Sequence, residues 1–381
     1  MKKLFFIAAI AGAALVSCTK NELAPSATKQ YELTFASPVT QAVTKGVALT
    51  PATYPTTENF AVFADYHTTL YANTTEFTSY MRYGDNEGVP VGHNSSATGE
   101  VIDGVTFTNW WAPIGTKKYY WPMDGYLTFA AYSPSAIRTN ANISYDITNG
   151  IKLTGYTVNA NTNQVDLMLS DRATDQVRPY TVANNENVGG TVNDGIHIAF
   201  KHVLSAISFA FKTAENYSDD DYVVTLKKLT INKAYTTADL TQFKEKSMTT
   251  LSLSASTYNI WSNWSNQSDN SVYNSSLTLT NSAQRLDSGD SKADILLIPQ
   301  ALTDVTFTME YTVSHPDMGK TGDAQNSITY VTNPISLATS NISSWDAGTR
   351  YLYTIEIGMN EIRFAPTVTA WTNEIGGNIT L

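Results

Sequence analysis

Only one cysteine, Cys18, occurs in the 381 residues, so the chain can form no disulfide within itself. Its stability has to come from packing alone, without the covalent staples on which small exported domains rely. Histidine is scarce as well. Of five, only His197 and His202 are close, and five residues apart on a strand they point to opposite faces, which predicts solvated or half-buried imidazoles and no shared metal. Basic residues are outnumbered, 24 against 34, and a net charge of −10 is the wrong sign for a nucleic-acid surface. There is no Gly-x-Ser-x-Gly, no glycine-rich phosphate loop, no His-Glu-x-x-His and no EF-hand spacing. No carboxylate pair for glycoside hydrolysis presents itself either, and Asp219-Asp220-Asp221 reads as a solvated turn. The sequence therefore predicts no enzyme: no catalytic residue, no metal and no cofactor.

Long stripes of period 3.6 are also missing. Short alternating segments recur instead, at residues 59–66, 125–132, 196–211, 222–231, 295–298, 304–313, 350–358 and 361–370, each bounded by Gly, Pro, Asn or Asp. Such spacing predicts an all-β chain of sandwiches or barrels. Residues 238–246 are the best of a few short helical pieces, and the Asn- and Ser-rich stretches 182–194 and 259–281 read as long polar loops. With 42% apolar residues there is material for real cores, and about 360 residues after the leader fit two domains better than one. Within 196–211 the apolar phase flips: Ile196, Ile198 and Phe200 share one face, Ile207, Phe209 and Phe211 the other. A bulge or bend near 204–206 corrects the phase, and the domain boundary is expected just beyond, in the acidic stretch 216–221. Trp110, Trp111, Tyr119, Tyr120, Trp121, Trp261 and Trp264 suit either core filling or stacking on sugars.

The start of the chain carries three signals in succession. Lys2 and Lys3, an apolar run over 4–15 too short to span a bilayer, and Leu15-Val16-Ser17-Cys18 form a secretion signal. Its end resembles the lipobox of bacterial lipoproteins, which makes Cys18 the acylated (palmitate-bearing) first residue of the mature chain. Over 31–43 the odd positions read Tyr31, Leu33, Phe35, Ser37, Val39, Gln41 and Val43, a strand with one apolar face. Thr44-Lys45-Gly46 follows at once, and lysine beside glycine in a polar loop is a trypsin-like site, as any exposed lysine would be.

Several of these pieces, in this order, resemble the fimbrillin family, the Mfa-like and FimA-like pilins of Bacteroidetes. The matching pieces are the lipobox, the strand with its basic site, Phe60-Ala61-Val62-Phe63-Ala64, Tyr120-Trp121-Pro122 and Tyr126-Leu127-Thr128-Phe129-Ala130-Ala131-Tyr132-Ser133-Pro134. Further on come Asp166-Leu167-Met168-Leu169-Ser170, residues 200–209, Leu297-Ile298-Pro299-Gln300, and residues 345–351 running on to Trp371. The resemblance implies two transthyretin-like β-sandwich domains in tandem, exported as an outer-membrane lipoprotein precursor and displayed in a cell-surface fimbrium. The expected divisions are a signal peptide 1–17, a lipidated segment 18–46 with a removable first strand, an N-terminal sandwich 47–215 and a C-terminal sandwich 216–381. Partners implied are other fimbrial subunits, a trypsin-like maturation protease, a host or bacterial surface ligand, and the membrane through the lipid anchor before maturation.

By position, the removable strand carries Tyr31, Leu33, Phe35, Val39 and Val43, and the cut falls at Lys45 and Gly46, where the family's protease cuts after arginine. Five apolar side chains at about 2 kcal/mol each hold such a strand by an upper estimate of about 10 kcal/mol, so it does not leave unaided. Once cut it is a separate ligand, open to displacement by a strand of another subunit. The resemblance places the donor at the C-terminus, where Tyr351, Tyr353, Ile355 and Ile357 share one face and Ile362, Phe364 and Val368 another. Alternation does not say whose core they fill: they close their own sandwich or are donated. The competing function is an outer-membrane-anchored carbohydrate-binding lipoprotein, monomeric and dependent on its exposed tryptophans.

Overall fold

The computed structural model describes residues 31–40, 52–83, 87–102, 105–139, 142–158, 164–177, 195–242, 261–286, 294–315, 327–358 and 362–370. Cys18, Val43, Lys45, Gly46 and the 182–194 stretch lie outside the described residues. The chain is all-β, as expected, with 3-10 turns at Tyr71–Asn73, Ser135–Thr139 and Tyr217–Asp220 as the helical pieces among the described residues.

Three large sheets account for most of the strands. The first has ten, in the order Ala52–Thr53, Val39–Thr40, Ala199–His202, Met168–Ser170, Tyr126–Ser133, Phe60–His67, Val89–Ile102 and Val105–Pro113, with Thr78–Met81 and Ala173–Gln176 attached at its middle. The second runs Gln284–Arg285, Ser205–Thr213, Thr349–Ile357, Ile362–Ala370, with Ile295–Leu297 beside Ser205–Thr213. The third runs Ser327–Val331, Thr306–Ser314, Val223–Thr241, Gly150–Thr157, Asn142–Asp146, with Trp261–Thr278 on Val223–Thr241. The second and third share one core, across which Phe209 meets Phe307 at 6.3 Å.

The middle of the first sheet is buried on both faces, which is why its strands read as continuous apolar runs. Phe60, Val62 and Ala64 face one core and Ala61 and Phe63 the other; Leu127, Phe129 and Ala131 are divided from Ala130 and Tyr132 in the same way. Strands covered on both sides lose the alternation that marks a half-solvated sheet.

The phase flip within 196–211 has a structural counterpart. Ala199–His202 belongs to the first sheet and Ser205–Thr213 to the second, so the chain changes sheets at Val203 and Leu204. The sheets therefore do not divide at 215/216. Asn142–Asp146 and Gly150–Thr157 hydrogen-bond into the sheet of Val223–Thr241, and Ser205–Thr213 runs parallel to Thr349–Ile357. These pairings are distant in sequence, and nothing local announces them.

Two local expectations are corrected. The helical reading of 238–246 fails over 238–241, which end the strand Val223–Thr241, where Ala238 and Leu240 are buried and Asp239 points outward with period two; residues 243–246 lie outside the described residues. The 259–281 stretch holds an 18-residue strand, Trp261–Thr278, whose side chains are mostly exposed. Its backbone ladder with Val223–Thr241, broken by four register shifts, forms the strand where hydrophobicity gives no sign of one. His197 is exposed, but His202 is fully buried, with Nδ1 at 2.9 Å from Asp166 Oδ1, so only the first is the solvated imidazole expected.

Candidate strand-binding groove

Residues 31–40 close the first sheet. At one end of that sheet stands Val105–Pro113 and at the other Ala52–Thr53, next to Val39–Thr40 and then Ala199–His202; ahead of Val39, Phe35 bridges Trp111 on one side and Ile196 on the other. On one side, Phe35 N–H donates to Trp111 O at 2.8 Å and Trp111 N–H returns to Phe35 O at 3.2 Å; Leu33 N–H reaches Tyr119 O at 2.8 Å, and Trp121 N–H reaches Tyr31 O at 2.7 Å. On the other side, Ile196 N–H donates to Thr34 O at 2.9 Å, Ala36 N–H to Ile196 O at 3.0 Å, and Val39 N–H to Ile198 O at 3.1 Å. The segment is antiparallel to Trp111 and parallel to Ile196. A strand bonded along both edges contributes as much backbone as an interior strand of any sheet, although its neighbours lie far away in sequence.

The side chains complete the seal. Leu33 and Phe35 are fully buried, and the Phe35 ring meets Phe60 at 5.8 Å and Phe129 at 5.9 Å, both edge-on. Edge-on pairs set the positive ring edge against the negative face of the neighbour and add to simple area burial. Beyond Phe35 the expected alternation breaks. Thr34, Ala36 and Pro38 are buried as well, Ser37 is exposed, and Tyr31 and Val39 are half-buried. Four successive buried residues, 33–36, mean that both faces are covered there, and the Ser-Pro step that follows resets the phase.

The chain then returns against this segment. Val39 and Thr40 pair antiparallel with Thr53 and Ala52, so Lys45 and Gly46 fall in the connection between two paired strands. Tyr54 follows, buried, with its N–H on Pro38 O at 3.2 Å and its ring 5.3 Å from Trp111, 5.6 Å from Phe200 and 5.8 Å from Phe60. Its hydroxyl pairs with Ser133 Oγ at 2.6 Å, and burial pushes its pKa well up against that bond. Sequence reasoning passed over Tyr54 because an isolated tyrosine between prolines carries no pattern.

One ion pair ties the segment to the groove. Lys118 Nζ lies 2.6 Å from Glu32 Oε1, and the hydrogen bond to Glu32 raises the lysine pKa. With 47% of the lysine side chain exposed the pair is mostly solvated. Lys118→Ala should therefore cost no more than about 1 kcal/mol in urea unfolding, with a smaller difference in high salt.

Gly195 supplies the closest approach. Its φ is +92°, and a Cβ there would sit 2.7 Å from Phe35 C and 2.8 Å from both Ala36 N and Thr34 O. Only glycine lets the backbone of 195–196 lie flush against 34–36.

At the other end of the chain, Tyr351, Tyr353, Ile355 and Ile357 fill the core of their own sheet. Tyr353 is fully buried, stacks on Phe209 at 5.6 Å and accepts a hydrogen bond from Trp345 Nε1 at 3.0 Å. Their strand is interior, parallel to Ser205–Thr213 and antiparallel to Ile362–Ala370. Ile362–Ala370 is the end strand of that sheet; Ile362 is partly buried and Val368 is 48% exposed. Of the tryptophans, Trp110, Trp111 and Trp261 are buried, whereas Trp264 is 40% exposed with its Nε1–H fixed on Pro299 O at 2.9 Å.

Comparison with known proteins places this arrangement. A family model described as fimbrillin-like matches residues 70–371. Among solved structures, a fimbrial protein from Bacteroides vulgatus superposes with a TM-score of 0.53 at 18% identity, covering 89% of this chain and 100% of that one. A putative cell adhesion protein from Bacteroides uniformis gives 0.42 at 14% identity, with 90% and 99% covered. The tip fimbrial protein Mfa3 from Porphyromonas gingivalis gives 0.31 at 11% identity, with 82% and 94% covered. Among curated protein sequences no relative matches. With the family match spanning most of its length, the chain belongs to the fimbrillin-like family.

Proposed function

We propose that this chain is a structural subunit of a cell-surface fimbria, made as a lipid-anchored outer-membrane precursor through Cys18 and assembled by protease-triggered donor-strand exchange. The observation that carries the reading is the first segment, bonded along both edges yet joined to the rest of its domain through the connection that holds Lys45. While the connection is intact, a strand that opens finds its own groove again at millimolar effective concentration. After a cut beside Gly46 the segment is an ordinary ligand, and the vacated groove offers two rows of backbone partners and the pocket of Phe60 and Phe129 to a strand of a second subunit. Main-chain bonds then supply affinity and alternate pockets supply selectivity, without any nucleotide. Adhesion to a host or bacterial surface follows from display on the fibre.

Limited trypsin digestion, with mass spectrometry and sizing before and after, tests the reading. A single early cut after Lys45 followed by ladders of SDS-resistant oligomers is expected. A chain cut there that keeps its first segment and stays monomeric would sink the assembly mechanism and favour a monomeric anchored lipoprotein.

A further inference from the structure

The chain enters and leaves the first sheet at opposite ends. Tyr31 O accepts a hydrogen bond from Trp121 N–H at 2.7 Å, and three residues further on Asp124 Oδ1 accepts one from the Tyr66 hydroxyl at 3.2 Å. Tyr66 and Tyr126 stand at one end of the ladder between Phe60–His67 and Tyr126–Ser133, where His67 pairs with Tyr126. Met168 pairs with both Ser133 and His202, so the passage to the second sheet at Val203 and Leu204 lies at the other end. The first segment runs from the Tyr126 end toward that other end, since Val39 and Thr40 lie parallel to Ala199 and Phe200.

We infer that the Tyr126 end of the first sheet is a contact surface for a lipid bilayer, on which the precursor sits while Cys18 holds it. The inference rests on the reading of Cys18 as a lipid anchor and adds the face of the fold that meets the membrane.

Three neighbouring strand ends bring apolar side chains to the surface there. Leu70 follows Phe60–His67 and is 46% exposed, Met123 precedes Tyr126–Ser133 and is 85% exposed, and Val177 follows Ala173–Gln176 and is 38% exposed. The strands are paired in the sheet, His67 opposite Tyr126 and Gln176 opposite Leu127, and Tyr71 N–H donates to Asp175 Oδ1 at 2.7 Å. Behind the tips Tyr66, Trp121 and Tyr126 are half-buried, with Tyr126 stacked on His67 at 5.7 Å. Apolar tips backed by amphipathic rings suit the headgroup boundary of a bilayer, which takes the tips into hydrocarbon and leaves the polar edges of the rings wet.

The length of the anchor argues for lipid as the occupant. From Cys18 to Tyr31 is 13 residues, which span at most about 45 Å however they run. This end is therefore the part of the fold tied closest to the bilayer, and a weak apolar contact there is favoured by high local concentration. Charge does not drive it. Among the described residues of 67–78 and 121–126 the exposed charges are the carboxylates Glu76 and Asp124, and the whole chain carries −10. The contact is apolar, neither strengthened by anionic lipid nor weakened by salt. Seated this way, the precursor holds the Lys45 connection away from the membrane, because that connection follows Thr40 on a segment running outward from the bilayer. The protease meets its site in water.

The test uses the full-length chain purified with its acyl chains from bacterial membranes and reconstituted into phosphatidylcholine vesicles. Cys18 is the only cysteine, and in the acylated precursor its sulfur is occupied, so Met123→Cys supplies a single thiol for an environment-sensitive dye. Val331→Cys is the control, at a residue 70% exposed on the end strand of the third sheet. On reconstitution the dye at 123 should shift to the blue and lose most of its quenching by iodide, in low and high salt alike, and the dye at 331 should do neither. Adding Leu70→Asp and Val177→Asp should restore quenching at 123 to the level at 331 while the protein stays on the vesicles. If the protein is retained but the two positions are quenched alike, the inference falls and the anchor stands. If it is not retained, the anchor reading falls and takes the inference with it. Shielding at 123 that follows the density of protein instead of the presence of lipid makes a second copy the occupant and also overturns the inference.

Discussion

Replacing Phe35 by alanine should cost about 3–5 kcal/mol of stability, the largest loss expected from any single side chain of the first segment. The ring is fully buried, and its contacts with Phe60 and Phe129 place it at the centre of the smaller core, against the two strands that run through the middle of the first sheet. Those strands are held on both faces and cannot close in, so most of the vacated volume persists as a cavity. The loss should fall unevenly. In the uncut chain it should lower the urea midpoint and speed hydrogen exchange at Trp111 and Ile196, whose amides are bonded to the segment. In the cut chain the same loss becomes a loss of affinity, and the fragment ending at Lys45 should dissociate about a hundredfold to a few thousandfold faster. A change below about 1 kcal/mol, with exchange at Trp111 and Ile196 unaltered, would mean that the segment is an accessory and not a strand of the fold.

How far the sequence discloses this site follows from how local each signal is. Leu33 and Phe35 announce themselves by alternation, and the structure buries both. Val39 satisfies the same alternation but is half-buried, because Ser37-Pro38 shifts the phase, and a period-two count cannot register a break that the backbone makes. The flip between Phe200 and Ile207 is visible as a change of face, although its meaning, a change of sheet at Val203 and Leu204, depends on partners at residues 350–357 and 168–170. Trp261–Thr278 is hidden for the opposite reason: its Asn- and Ser-rich side chains look toward solvent, and only the ladder to Val223–Thr241 makes it a strand. Tyr54 and Gly195 are silent in the sequence, one a single aromatic and the other a single glycine, since each acts through the approach of backbone far along the chain.

Gly195→Ala is the sharper test of the groove, because it leaves every native side chain of the first segment in place. Two costs coincide at this position. A non-glycine residue at φ +92° is strained by about 1–3 kcal/mol whatever the space around it. The added carbon also meets Phe35 C, Ala36 N and Thr34 O below 3.0 Å, all backbone atoms that cannot rotate away. Relief requires residues 34–36 to move off 195–196, which lengthens the paired bonds between Thr34, Ile196 and Ala36. The expected result is a fall in stability of about 3 kcal/mol or more, early release of the first segment from the cut chain, and an equally weak hold on any incoming strand, so that oligomer ladders are lost. Gly155→Ala is the matched control: that glycine also has a positive φ, +67°, but nothing lies within 4 Å of its added carbon. It should carry the strain alone, about 1 kcal/mol, and leave release and laddering as in the native chain. If the two variants lose stability equally and Gly195→Ala still forms ladders, then the backbone contact at 34–36 does not seat the strand. The groove would then have to select its occupant through the Phe35 pocket alone.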